Sequence, residues 1–142
     1  MRPFARLKQW FAWRFPPKTL GQRGELVAAR FAKRLGYKIV AQGERGGLGE
    51  LDLVAVDGRT VVFIEVKTRR SHERGHPAEA VGRDKQRRLT RLALGYLKRH
   101  GLLEYPARFD VIAVTWPEEQ KRPKVEHIIG AFEPEAGSRM FA

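Results

Sequence analysis

The stretch that most constrains this chain is Glu50 to Lys67, ELDLVAVDGRTVVFIEVK, in which two apolar runs flank Asp57-Gly58. Strand side chains alternate between faces with period two, so the pattern reads as a β-hairpin. Leu51, Leu53 and Ala55 fall on one face of the first strand, and Glu50, Asp52, Val54 and Val56 on the other. In the second strand Val62, Ile64 and Val66 share a face, and Phe63, Glu65 and Lys67 share the opposite one. Asp57-Gly58 is a strong turn signal.

Register decides whether the polar residues meet. A two-residue loop at Asp57-Gly58 sets Val56 against Arg59 and leaves Glu65 one diagonal step from Asp52. A four-residue loop sets Asp52 directly against Glu65. In both cases Asp52, Glu65 and Lys67 share a face within roughly 5–8 Å. A three-residue loop would put the two acids on opposite faces.

Strands this apolar read as central, where ionised carboxylates repel each other and are costly to bury unpaired. A divalent cation relieves both difficulties. Mg²⁺, or Mn²⁺ in its place, prefers a few carboxylate oxygens completed by water and phosphate. A lysine two residues past one ligand could then orient or deprotonate water, or neutralise a phosphate oxygen. These are the parts for metal-assisted phosphodiester hydrolysis. The competing reading is a salt-bridge ladder on a solvated sheet face.

Asp52, followed a dozen residues later by Glu65-Val66-Lys67, resembles the D…(D/E)-x-K core of the PD-(D/E)xK nuclease superfamily, with its restriction-endonuclease-like fold. More of the chain is similar to the YraN-type family of bacterial nuclease-like proteins. The matching residues are Gly24-Glu25-x-x-Ala28, Gly49-Glu50-Leu51-Asp52-Leu53, Phe63 to Arg69, Lys85, and Arg108-Phe109-Asp110-Val111. The resemblance covers about Leu20 to Phe132. It implies Asp52, Glu65 and Lys67 as catalytic residues. From related junction-resolving nucleases, it also implies Glu25 as a further acid at the metal. As a first-turn glutamate Glu25 would equally favour the helix dipole.

Twenty-eight lysines and arginines against sixteen acids leave the 142-residue chain at +12. That excess suggests a polyanionic partner, nucleic acid or an anionic membrane surface, against the plainer reading of solubility. The absence of cysteine excludes disulfides, cysteine-ligated zinc and thiol chemistry, and fits a cytoplasmic protein. No apolar run approaches the length of a membrane span.

Residues 1–18 form an arm rich in arginine, lysine and aromatics with no acid. It reads as a short helix docking on the body, as an arm stacking on nucleic acid, or as a membrane-surface helix. Residues 19–133 form one α/β domain and 134–142 a tail. The first helix spans Gln22 to Leu35, with Ala28, Phe31, Ala32 and Leu35 apolar. A strand from Tyr37 to Ala41 precedes a glycine-rich loop from Gln42 to Gly49. After the hairpin, Arg69 to Pro77 is a basic loop in which His72 and His76 do not have a zinc-binding setting.

A second long helix spans Ala78 to His100 and buries Leu89, Leu92, Ala93, Tyr96 and Leu97. Its outer face is almost wholly cationic. Lys85, Arg88 and Arg91, with Arg69 and Arg70, are the expected DNA-phosphate contacts. Strands from Arg108 to Trp116 and Val125 to Phe132 follow, with Asp110 in a structural role. The order α-β-β-β-α-β-β predicts a mixed sheet of about five strands with helices on both faces. Its third and fourth strands would be parallel through a right-handed crossover, in agreement with the restriction-endonuclease-like fold.

The expectation is a Mg²⁺- or Mn²⁺-dependent endonuclease acting on DNA, including branched structures. Duplex cleavage would call for a homodimer, since one site cuts one strand. The alternatives are a nucleic-acid-binding protein that keeps the fold without cutting, and a membrane-peripheral protein anchored by residues 1–18.

Overall fold

The computed structural model describes residues 19–70, 81–117 and 122–134. The arm of residues 1–18, the loop histidines His72 and His76, and the tail from 135 onward lie outside them. The elements run α1 (Leu20–Arg34), β1 (Lys38–Gly46), β2 (Gly49–Asp57), β3 (Thr60–Arg69), α2 (Arg83–Arg99), β4 (Ala107–Thr115) and β5 (Lys124–Phe132). They form one five-stranded sheet in the order β1-β2-β3-β4-β5. β3 and β4, joined through α2, are parallel, and the other neighbours are antiparallel. This is the mixed α/β sheet expected from the order of elements.

Two apolar layers sandwich the sheet. α1 contributes Ala28, Ala29 and Ala32 against Leu53, Ala55, Val62, Ile64, Ile112 and Val114. α2 lays Leu89, Leu92, Ala93, Tyr96 and Leu97 against Val54, Val61, Phe63, Phe109 and Val111. Small alanines on α1 let that helix lie close to the strands. The α2 stripe repeats with helical period and matches the sequence reading residue for residue.

Several boundaries differ from the sequence reading. α1 begins at Leu20, because Thr19 makes a capping box: its Oγ1 accepts the Gln22 N–H, and Gln22 Oε1 accepts the Thr19 N–H. Glu25 is therefore in the second turn, past the reach of a first-turn dipole effect. The glycine-rich segment expected as a loop is strand through Gly46 and turns only at Gly47 and Leu48. Gly46 meets α2 there. A Cβ on it would lie 2.7 Å from Leu92 Cδ2, the tip of a flexible side chain, so a larger residue would require Leu92 to turn aside.

The β2–β3 turn is shifted by one residue from Asp57-Gly58. Asp57 pairs with Thr60, leaving Gly58 and Arg59 as the turn. Gly58 has φ +62° and no non-glycine residue in the described chain has positive φ, which fits a turn with glycine at its first central position. Val56 thus faces Val61, the register that brings Asp52 level with Glu65.

Asp110, wholly buried on β4, is structural as expected. Its carboxylate accepts from Arg108 Nε at 3.0 Å and the Gly130 N–H at 3.0 Å, and lies 2.8 Å from His127 Nε2. Arg108 also donates to the Tyr37 hydroxyl at 2.8 Å.

Candidate active site

The site forms where the middle of the sheet forks. Described pairing of β2 with β3 runs from Asp57↔Thr60 to Leu53↔Ile64. Beyond that point β2 continues with β1 as far as Gly49, and β3 continues with β4 as far as Arg69. At the fork Asp52 Oδ2 accepts the N–H of Val66 at 2.9 Å, standing in for a backbone carbonyl of β2. Strand alternation fails at the same place. Leu51, expected beside Leu53 and Ala55, instead packs in the α2-side layer with Val54.

Four acids converge on this opening. Oxygens of Glu25, Glu50 and Asp52 all lie within 4.8 Å of one another. Glu65, only 8% exposed, hydrogen-bonds the Asp52 side chain and is engaged by Lys85 Nζ from the first turn of α2. Lys67, two residues past Glu65, is half-buried and lies against Lys85. Glu25 reaches the acids where α1 approaches β3 closely at Gly24 and Thr68. A Cβ on Gly24 would lie 1.8 Å from Thr68 Oγ1, a contact only glycine allows.

Charge crowding shows in the acid–base behaviour. Burial, and then the neighbouring Glu65 carboxylate, raise the Asp52 pKa to about 7, against the opposing Val66 N–H. Burial, then Glu50 and Glu65, push Glu25 upward. Burial, followed by the adjacent Lys85, pulls Lys67 down. Burial works against the charge on Lys85 as well, but pairing with Glu65 outweighs it and its pKa is raised.

The structure therefore gathers Asp52, Glu65, Lys67 and Glu25 at one place. It adds Glu50, which the sequence reading had on Asp52's face without a role. The signal available was that spacing of two. Lys85, expected at a phosphate, is paired with Glu65. A cleft of about 220 Å³ opens onto the acids, lined by Leu48, Glu50, Asp52, Glu65, Lys85 and Arg88 among others. Arg91 is exposed on α2, Arg69 ends β3, and Arg70 is exposed just beyond it. A donor set made only of hard carboxylate oxygens suits Mg²⁺ or Mn²⁺ rather than a soft metal.

Comparison with known proteins gives a consistent outcome. The profile of the uncharacterised protein family UPF0102 matches residues 24–114. A UPF0102 protein of Geobacter sulfurreducens is 49% identical over 116 residues, covering 82% of this chain and 90% of that protein. One from Rhodopirellula baltica is 44% identical over 135 residues, covering 89% and 81%. Another, from Alkaliphilus metalliredigens, is 42% identical over 115 residues, covering 81% and 98%.

Proposed function

The chain belongs to the UPF0102 family, the YraN-type group its motifs resemble, and we propose that it is a metal-dependent endonuclease that hydrolyses DNA phosphodiester bonds. The observation that carries this reading is the convergence of Asp52, Glu65 and Lys67 at the fork between β2 and β3, with Glu25 and Glu50 beside them. Acids this close repel one another even though only Glu65 is buried, and the raised proton affinity of Glu25 and Asp52 reflects a crowding that a cation of suitable size would also relieve.

Asp52, Glu25, Glu50 and, once free of Lys85, Glu65 are the residues to hold Mg²⁺ or Mn²⁺. When bound, such an ion supplies polarisation of the phosphoryl oxygens and neutralisation of developing charge. Lys67 points from the same strand face as Glu65 and holds the attacking water. Its lowered pKa suits it to accept that water's proton. Arg88 in the cleft, with Arg91, Arg69 and Arg70, binds backbone phosphates with little reading of sequence. Branched or flapped DNA is the substrate class this reading favours, and cleavage of both strands of a duplex requires two copies of the chain.

The test is incubation of the purified protein with supercoiled, single-stranded and branched DNA plus Mg²⁺ or Mn²⁺. Cleavage is expected, and its persistence in Asp52→Ala or Glu65→Ala would refute the assignment.

A second reading is favoured by the Lys85–Glu65 pair, which already neutralises one of the acids. In that reading the protein binds nucleic acid and cuts nothing alone. It predicts salt-sensitive DNA binding and no heat of Mn²⁺ binding by calorimetry.

A further inference from the structure

Lys85 occupies an unusual position for a surface helix residue. Its Nζ engages Glu65, which is 8% exposed, while the Lys85 side chain itself remains 34% exposed. The ammonium thus has its inner side on a metal-binding acid and its outer side in the cleft where a phosphate would sit. Lys67 lies against it, so two ammonium groups crowd beside the Glu65 carboxylate.

We propose that Lys85 is a positioning residue that makes cation binding depend on nucleic acid, by occupying the Glu65 carboxylate until a backbone phosphate draws the ammonium away. The inference rests on the metal-dependent nuclease reading and adds a coupling to it. The physical basis is competition. An ammonium and a divalent cation cannot both use the same carboxylate oxygens at close range without strong repulsion. A phosphate arriving in the cleft offers Lys85 an alternative anion and leaves Glu65 to the ion. Reciprocity follows, because an anion that raises cation affinity must itself bind more tightly when the cation is present. The arrangement keeps the acids satisfied in the resting protein and withholds the full site until substrate is in place.

The flexibility needed is small. Lys85 lies in the first turn of α2, which is held by the Gln86 N–H on the Gly82 carbonyl at 2.9 Å and by Gln86 Nε2 on the Val81 carbonyl at 2.8 Å, so only the side chain has to move. A lysine stem has enough rotatable bonds to move its head within the cleft while the helix stays seated on Leu89 and Leu92.

The experiment measures Mn²⁺ affinity by electron paramagnetic resonance on the full chain, with and without a phosphorothioate DNA duplex. For the wild-type protein DNA should tighten Mn²⁺ binding about tenfold. Lys85→Met should bind Mn²⁺ about tenfold more tightly without DNA, and added DNA should then change it less than about twofold. Lys85→Gln serves as a second neutral variant, and Lys85→Arg, which keeps the charge, should retain the DNA dependence. Wild-type affinity and wild-type DNA dependence in both neutral variants overturn the inference while leaving the nuclease reading intact. No Mn²⁺ binding by any form overturns both.

Discussion

Gly24 of α1 lies so close to Thr68 of β3 that a methyl group on it would stand 1.8 Å from Oγ1 and 2.8 Å from Cβ. Rotation of the threonine cannot relieve a clash that includes its Cβ, so the helix or the strand would have to move. Gly24→Ala should therefore destabilise the protein by about 1–3 kcal/mol, measured by urea unfolding. It should also weaken Mn²⁺ binding, because Glu25 is carried outward with the helix. An unchanged midpoint and unchanged affinity would show that the contact is slack.

Asp52 links the site to pH. Its pKa in the folded protein is about 7, above its ordinary value of 3.8. The folded metal-free protein therefore holds a proton that the unfolded chain has lost, and its stability falls as pH rises from about 4 to about 7. Asp52→Asn keeps an acceptor for the Val66 N–H and removes the charge. It should be more stable than wild type by about 1–3 kcal/mol at pH 8, with the gap closing near pH 4. Thermal melts at a series of pH values read this directly, and a gap independent of pH would contradict it.

The same proton would compete with the metal proposed for the site. Mn²⁺ affinity of the wild type should fall by about tenfold per pH unit below about 7. Calorimetry in buffers of different ionisation enthalpy should show a proton released on binding. A flat profile between pH 5.5 and 7.5 would mean that Asp52 is not a ligand.

Asp110, wholly buried, pairs with Arg108 and lies 2.8 Å from His127 Nε2. Asp110→Ala leaves Arg108 Nε and the Gly130 N–H without their acceptor and should cost about 3–5 kcal/mol. Loss of cooperative unfolding near room temperature would agree with that, and a loss below about 1 kcal/mol would not.

Phosphate contacts along α2 should appear in the salt dependence of DNA binding. Arg88→Ala and Arg91→Ala should each lower the log–log slope by about 1 and weaken all sequences alike. Fluorescence anisotropy across a salt series measures this, and an unaltered slope would remove that residue from the interface.

Much of this architecture could be read from residue order. Alternation along 50–67 and the Leu89-to-Leu97 stripe each follow from a local period that one buried face enforces. The long β1 could not be read in this way. Its glycines have weak strand preference, and Gly46 meets Leu92, a residue 46 positions away whose placement only the folded chain defines. Glu50 was visible beside Asp52, but alternation alone gives it no partner; α1 brings Glu25 to it. The Lys85–Glu65 contact joins two elements whose relative placement depends on the crossover, so no spacing in the sequence encodes it.

Below Leu53 and Ile64 the two halves of the sheet are tied by the carboxylate arm of Asp52 where a ladder would otherwise run. Paired backbones hold neighbouring strands at one spacing, roughly 4.8 Å. A side chain bridges the same seam through its own torsions, so the gap can widen or narrow by rotamer adjustment with the Val66 amide still satisfied. A pocket set in such a seam is compliant toward ionic radius. If it holds the ion proposed for it, Mg²⁺, Mn²⁺ and the larger Ca²⁺ should each be accommodated in turn, with discrimination among them left to the water shell and the chemistry rather than to a rigid cage.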